Sequence, residues 1–357
     1  MHSRNKRYFI LTLGCQMNVS DSQRIATKLE RLRYKSASEQ EADLVVVNAC
    51  SVRQKAVDRI WGGIKKWQES GKRIIITGCV LPADQKKLKA KNIIFSNIRD
   101  LANLKKIPKE SSNILQNIGR PAKDNICLDY FDIKPKMNSK IVYIPIMTGC
   151  DNFCSYCAVP YTRGREVSRP MENIIHEVKD ATKNGFKEIW LLGQNVNSYK
   201  YGFAKLLKKV DKLPGNFKFN FISSNPHDMT QELIKTFSKL KKWTRELHLA
   251  MQSGDDEILR KMNRRYNSKR FLKLVSNLKL KIKNLKLSTD IIVGFPGETK
   301  KQFENTVKIC KKIKFTKAYV SQYSPRPGTT AAKLKDDVPR DEKKRRWLIL
   351  NQLINNF

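Results

Sequence analysis

Cys150, Cys154 and Cys157 stand in the run Gly149-Cys150-Asp151-Asn152-Phe153-Cys154-Ser155-Tyr156-Cys157, a C-x3-C-x2-C spacing. The number of thiols matters more than the spacing. Three thiolates can hold three irons of a four-iron, four-sulfur cluster and leave the fourth iron without a protein ligand. An open iron can bind and reduce a small molecule, so the run points to chemistry rather than to a structural staple.

Three further cysteines follow runs rich in β-branched residues. Residues 8–13 end in Gly14-Cys15, residues 44–47 in Asn48-Ala49-Cys50, and residues 73–77 in Gly78-Cys79. Continuous apolar runs of this kind suit strands buried on both faces. Helical patterns at residues 20–32 and 52–70 follow two of them, which predicts a parallel α/β sheet. Each cysteine then falls just past the carboxyl end of a strand, the edge where open α/β sheets place ligands. Three buried structural cysteines are the bland alternative. Their equivalent placement at three strand ends favours a second metal site. Cys127 and Cys310 have no ligand-like context and read as ordinary thiols.

The elements that must position the C-x3-C-x2-C run lie on both sides of it. Residues 92–138 hold Pro108, Pro121 and Pro135 among polar stretches, and predict a boundary near residue 138. Beyond it, strand-like runs at 141–147, 187–192, 217–222, 246–251, 285–293 and 318–323 alternate with helical patterns. This predicts a partial, six-unit version of the eightfold barrel, with the cysteine run after its first strand at the carboxyl-terminal face. Residues 340–357 predict an amphipathic helix. Four domain segments are expected: 1–125, a linker at 126–138, the partial barrel at 139–339, and the helix at 340–357.

The chain carries 71 Lys and Arg against 33 Asp and Glu, a net charge of +38. That field favours a polyanion, with RNA or DNA the obvious partner. A lysine-rich bias giving a solvated surface is the competing explanation. No apolar run is long enough to span a bilayer, and the start is too short and strand-like for a signal peptide, so a cytoplasmic protein is expected.

The cysteine run resembles the signature of radical S-adenosylmethionine enzymes, and the three dispersed cysteines resemble the amino-terminal domain of the methylthiotransferases. The resemblance covers nearly the whole chain and is narrowest to the MiaB-type tRNA methylthiotransferase family. It is carried by Gly14-Cys15-Gln16-Met17-Asn18, by Asn48-Ala49-Cys50-Ser51-Val52-Arg53-Gln54-Lys55-Ala56, and by the segment from Val159 to Pro170. Met262-Asn263-Arg264, Thr289-Asp290-Ile291-Ile292-Val293-Gly294-Phe295-Pro296-Gly297-Glu298 and Tyr323-Ser324-Pro325-Arg326-Pro327-Gly328 add to it. The sibling families differ after the first cysteine: Pro-Lys-Asn or Lys-Val-Asn is usual there, where this chain has Gln16-Met17-Asn18.

The resemblance implies an α/β protein: a Rossmann-like amino-terminal methylthiotransferase domain followed by a partial (β/α)6 radical SAM barrel. It implies two [4Fe-4S] clusters, one on Cys150, Cys154 and Cys157 that binds and cleaves S-adenosylmethionine, and one on Cys15, Cys50 and Cys79 that supplies or carries sulfur. The implied reaction is methylthiolation at C2 of N6-isopentenyladenosine, beside the anticodon of tRNA. The same chemistry on threonylcarbamoyladenosine or on a ribosomal protein is the alternative substrate. A non-catalytic RNA-binding iron–sulfur protein is the alternative class.

Gln194 and Asn195 after the second barrel strand, Ser223 and Ser224 after the third, Gln252 after the fourth and Asp290 in the fifth are expected at the cofactor. Loop caps and turn hydrogen bonds are equally good roles for them. Arg163, Arg165 and Arg169 are expected on RNA, with an ion pair to Glu166 as a competing role for one of them. The implied partners are the tRNA anticodon stem-loop and an electron donor such as flavodoxin or ferredoxin, with a monomer expected and no membrane. Two departures stand out. Ala250-Met251 replaces the usual Pro-Val, and the family's carboxyl-terminal RNA-binding TRAM β-barrel is not found before the chain ends at Phe357.

Overall fold

The structure is a computed structural model and describes residues 6–50, 54–81, 85, 93–98, 130–131, 133–135 and 140–356. Cys127, most of the expected linker and the segment 51–53 lie outside the described residues. The chain divides into two compact units. One comprises residues 1–139 with Thr148–Asp151 and Ala158–Arg169, and the other comprises Lys140–Met147, Asn152–Cys157 and Pro170–Phe357. Beyond the boundary expected near residue 138, Thr148–Asp151, which carries Cys150, and Ala158–Arg169 cluster with the first unit.

In the first unit, β1 (Arg7–Leu13), β2 (Lys35–Ser36), β3 (Leu44–Cys50), β4 (Arg73–Cys79) and β5 (Ile93–Phe95) form one sheet in the order β2-β1-β3-β4-β5. Every pairing is parallel. α1 (Gln16–Arg31) and α2 (Gln54–Glu69) are its crossover helices. All seven residues of β3 are buried, and its side chains divide between the two faces. Leu44 and Val46 join Ile25, Leu29 and Ile75 on one face, while Val45, Val47 and Ala49 join Ile64, Trp67 and Ile76 on the other. Burial on both faces is why the run reads as continuously apolar rather than alternating.

The second unit contains β6 (Ile141–Pro145), β7 (Glu188–Leu192), β8 (Lys218–Phe221), β9 (Glu246–His248), β10 (Lys286–Val293) and β11 (Lys317–Gln322). They form two three-stranded parallel sheets, β6-β7-β8 and β9-β10-β11. A parallel bridge from Ser224 to Leu249 joins them. This is the expected six-strand partial barrel. β9 is shorter than the expected 246–251. Past His248 the chain leaves regular pairing: Met251 N–H donates to the Thr289 hydroxyl at 2.9 Å, and Gln252 takes a left-handed φ of 68°.

Along β10 burial alternates, with Leu287, Thr289, Ile291 and Val293 buried and Ser288, Asp290 and Ile292 half-buried. One face packs into the core and the other stays partly open, which suits a half-barrel that receives a ligand.

α3 (Arg340–Asn355) lies along β11, where Trp347 Nε1 donates to the Val320 carbonyl at 2.9 Å and Asn355 bonds both backbone groups of Ala318. It buries one face, as expected of an amphipathic helix, with Leu350 fully covered and Lys344 and Arg345 exposed. Two charges, Lys343 and Arg346, lie on the buried face. Partners explain them. Arg346 Nη1 meets Glu298 Oε2 at 2.8 Å and also donates to the Glu298 carbonyl, and Lys343 reaches Asp336 at 2.5 Å. Glu298 in turn accepts from Gly294 N–H at 2.6 Å, so this helix fastens the Gly294–Glu298 turn after β10. Burial pushes the Glu298 carboxyl up, against the opposing pull of Gly294 N–H and Arg346.

Candidate functional site

In the first unit, Cys50 and Cys79 are the last residues of adjacent strands and are register partners. Cys15 follows β1, which pairs with β3 on the other side, and occupies the cap position of α1. The three thiols therefore stand at one sheet edge, at the ends of three neighbouring strands. Gly78 precedes Cys79 with φ 90°, and a Cβ there would stand 2.5 Å from the Ala49 carbonyl oxygen. Only glycine lets the two strand ends approach this closely.

Beneath the edge, Asn18 Nδ2 donates to Asn48 Oδ1 at 2.9 Å, and Asn48 Nδ2 donates to the Asn18 carbonyl at 2.8 Å. Cys15 turns its thiol to Asn18 Oδ1 at 3.5 Å. Among the described residues no three His, Cys, Asp or Glu side chains already converge as a ligand set.

Arg163 also enters this unit. Its Nε–H donates to Cys79 Sγ at 3.1 Å and its Nη2 meets Asp21 Oδ2 at 2.8 Å. Burial pushes the Cys79 thiol up, and Arg163 pulls the other way. Burial also opposes the Arg163 charge, but Asp21 and Cys79 outweigh it and hold the guanidinium firmly protonated. A buried cationic donor aimed at sulfur suits a thiolate far better than a thiol, which is a weak acceptor. On that ground the edge fits an iron–sulfur cluster.

The C-x3-C-x2-C run has two differently tethered halves. In the first unit, Cys150 N–H donates to the Gly164 carbonyl, and Asp151 takes both nitrogens of Arg165 at 2.7 and 3.2 Å. In the second unit, Ser155 N–H donates to the Met262 carbonyl and its hydroxyl to the Lys261 carbonyl at 2.7 Å. Asn263 Nδ2 donates to the Asn152 and Phe153 carbonyls at 3.3 and 3.0 Å, holding Phe153 at φ 46°. Arg264 Nη1 donates to Cys154 Sγ at 3.4 Å, and Nη2 to the Ala250 carbonyl at 2.9 Å. Here too a sulfur faces a guanidinium, and the run fits a thiolate-held cluster.

The residues expected at the cofactor divide. Asn195 is buried at the end of β7; its Nδ2 donates to Asp228 at 2.7 Å, and its Oδ1 has no partner among the described residues. Ser224, after β8, is buried with its hydroxyl likewise unpartnered there. Two orphaned polar atoms at neighbouring strand ends fit a polar cofactor. Gln194 is half-buried beside them. Ser223 (φ 71°) accepts from Val196 N–H through its carbonyl, and Gln252 bridges to β10 through its backbone.

Asp290 lies within β10, not at its end, and its Oδ2 meets His248 Nε2 at 3.0 Å. Of the three arginines expected on RNA, Arg163 and Arg169 are buried, Arg169 donating to the Phe131 carbonyl at 3.3 Å, while Arg165 is the exposed one. Arg165 pairs with Asp151. Sequence reasoning missed His248, Arg264 and Asp21. Only the position of Arg264 within Met262-Asn263-Arg264 hinted at a role. The shallow cavity of about 460 Å³ lined by Arg7, Asp43, Lys72 and Arg73 holds no cysteine, and lies at the amino-terminal edge of the first sheet.

Comparison with known proteins agrees with this division. Residues 144–310 match the radical SAM superfamily, and residues 7–100 match a family described as "Uncharacterized protein family UPF0004". The tRNA-2-methylthio-N(6)-dimethylallyladenosine synthase of Clostridium novyi is 41% identical over 99% of this chain and 82% of the relative. The synthase of the same name from Endomicrobium trichonymphae is 40% identical over 96% of this chain and 82% of its own length. Among solved structures, the radical S-adenosylmethionine methyltransferase TsrM of Kitasatospora setae shares the fold. Its TM-score is 0.64 at 12% identity, over 92% of this chain and 74% of TsrM. At this identity and coverage, the chain belongs to the family of the tRNA-2-methylthio-N(6)-dimethylallyladenosine synthases, within the radical SAM superfamily.

Proposed function

We propose that this chain is a radical SAM methylthiotransferase that converts N6-dimethylallyladenosine (N6-isopentenyladenosine) beside the tRNA anticodon to its 2-methylthio derivative. The observation that carries the reading is the pairing of two cysteine sets in one chain 41% identical to such a synthase over 99% of its length. The chain uses two [4Fe-4S] clusters and S-adenosylmethionine. Cys150, Cys154 and Cys157 would hold one cluster, and Cys15, Cys50 and Cys79 the other. Bound there, the clusters supply an electron for cleaving S-adenosylmethionine, an open iron to hold it, and sulfur for transfer.

The protein's own part is placement. Asn195 and Ser224 offer buried polar atoms to the methionine or ribose portion of the cofactor, with Gln194, Ser223 and Gln252 around them. Arg264 and Asn263 fix the second half of the cysteine run, so that its sulfurs keep one geometry. Asp290, oriented by His248, presents a carboxylate to the open face of the half-barrel. The net charge of +38 draws the tRNA backbone, and exposed Arg165 stands ready for phosphate once released from Asp151. A base in an anticodon loop can be unstacked into the half-barrel at modest cost.

Among the described residues no helix is long and apolar enough to cross a membrane. We place the enzyme in the cytoplasm with tRNA and a flavodoxin- or ferredoxin-type donor. The test is nucleoside mass analysis of tRNA from cells lacking the gene. The methylthio mark should vanish while N6-isopentenyladenosine accumulates, and an unchanged mark would refute the reading.

A further inference from the structure

Arg163 is held as few arginines are. Its side chain is 4% exposed and that of its partner Asp21 is fully buried. Tyr130 donates its hydroxyl to the other oxygen of the same carboxylate. The backbone fixes the root of the side chain: Arg163 N–H donates to the Val159 carbonyl at 2.8 Å and closes the single helical turn Val159–Thr162. Asp21 supplies the counter-charge of the guanidinium through Nη2. Yet Nε–H is spent on Cys79 Sγ at 3.1 Å, a poor acceptor while it is a thiol. A cluster on three thiolates adds negative charge at the spot this N–H faces. Committed inward, the side chain cannot also meet a phosphate.

Resting on the two-cluster reading, we propose that Arg163 is the positioning residue of the sheet-edge cluster. It holds the Cys79 sulfur for metal, and offsets the charge of the cluster by a hydrogen bond to that sulfur. Asp21 and Tyr130 fix the guanidinium for this role. Hydrogen bonds to ligand sulfurs raise a cluster's reduction potential, and partners behind a ligand typically change metal retention 10- to 100-fold.

The test uses the full chain carrying Cys150→Ala, Cys154→Ala and Cys157→Ala, so that only the sheet-edge cluster assembles. If this parent takes up no iron, the sheet-edge cluster is refuted and the proposal falls with it. If it does, Arg163→Gln and Arg163→Lys are read by chelator-driven iron release, by redox titration and by melting of the metal-free chain. The proposal expects Gln to release iron roughly tenfold faster or more, with the potential shifted negative, and Lys to fall between Gln and parent. A lowered melting point with an unmoved potential would mean a merely structural arginine and would overturn it. Should the Gln variant fail to fold, Lys decides: faster release at a parent-like melting point supports the proposal, and parent-like release overturns it.

Discussion

The two cysteine sets solve one problem in opposite ways. At the sheet edge the cysteines come from separate strands, and strand register aligns them, Cys50 opposite Cys79. Cys50 and Cys79 are nearly buried, at 7% and 5% exposure, while Cys15 is exposed. In the C-x3-C-x2-C run the cysteines come from eight consecutive residues, and side-chain tethers from Asn263, Ser155 and Arg264 shape the loop. All three of those cysteines are half-exposed. A site built on register takes its geometry from the sheet, with two thiols under cover and one at the surface. A site built on a tethered loop is open, suited to a small molecule that comes and goes. What they share is a guanidinium on one sulfur, Arg163 on Cys79 and Arg264 on Cys154.

The sharpest way to break this comparison is to remove one ligand from each set. Cys50→Ala and Cys150→Ala should each lower the iron of anaerobically reconstituted chain from about eight to about four atoms, and abolish methylthiolation. A wild type holding only one cluster would end the two-site reading. Next in size is the buried pair behind the sheet edge. Asp21→Asn strands the Arg163 charge and should lower stability by about 3–5 kcal/mol in denaturant unfolding. A change below about 1 kcal/mol would show that the edge is not as dry as its burial implies.

The loop should answer differently. Asn263 sits at φ 55°, so Asn263→Gly keeps the backbone while deleting the clamp on Asn152 and Phe153. Cleavage of S-adenosylmethionine should slow roughly tenfold or more with little loss of stability. An unchanged rate would mean that the Ser155 bonds alone hold the loop. The smallest effect is expected at the exposed Arg165–Asp151 pair. Arg165→Ala should leave the unfolding midpoint within error, because solvated ion pairs contribute little. Its effect should appear instead as weaker tRNA binding with a shallower salt dependence.

The sequence displayed the parts of each site that follow from apolar periodicity. Both strand ends at Cys50 and Cys79 were legible because β3 and β4 are buried on both faces. The six barrel strands were legible as short strand-like runs alternating with helical patterns. Periodicity is silent about charges buried with partners, so Arg163 beside Asp21 read as an RNA contact, and the amphipathic pattern of 340–357 gave no sign that Lys343 and Arg346 are buried. His248 escaped notice for a related reason. Its meaning lies in Asp290, 42 residues away, which only strand pairing brings near. The early end of β9 follows from a hydroxyl of the neighbouring strand, Thr289, which capped a backbone group that pairing would otherwise have used.

The two charges buried on helix α3 give ionic strength an unusual selectivity in this protein. Contacts between its many exposed lysines and a nucleic acid dissolve as counterions rise. The Arg346–Glu298 link lies under the surface, at 4% and 2% side-chain exposure, where mobile ions screen little. Concentrated salt should therefore strip the polynucleotide from the chain while the carboxyl-terminal helix keeps its grip on the Gly294–Glu298 turn. Washing and unfolding become separable operations.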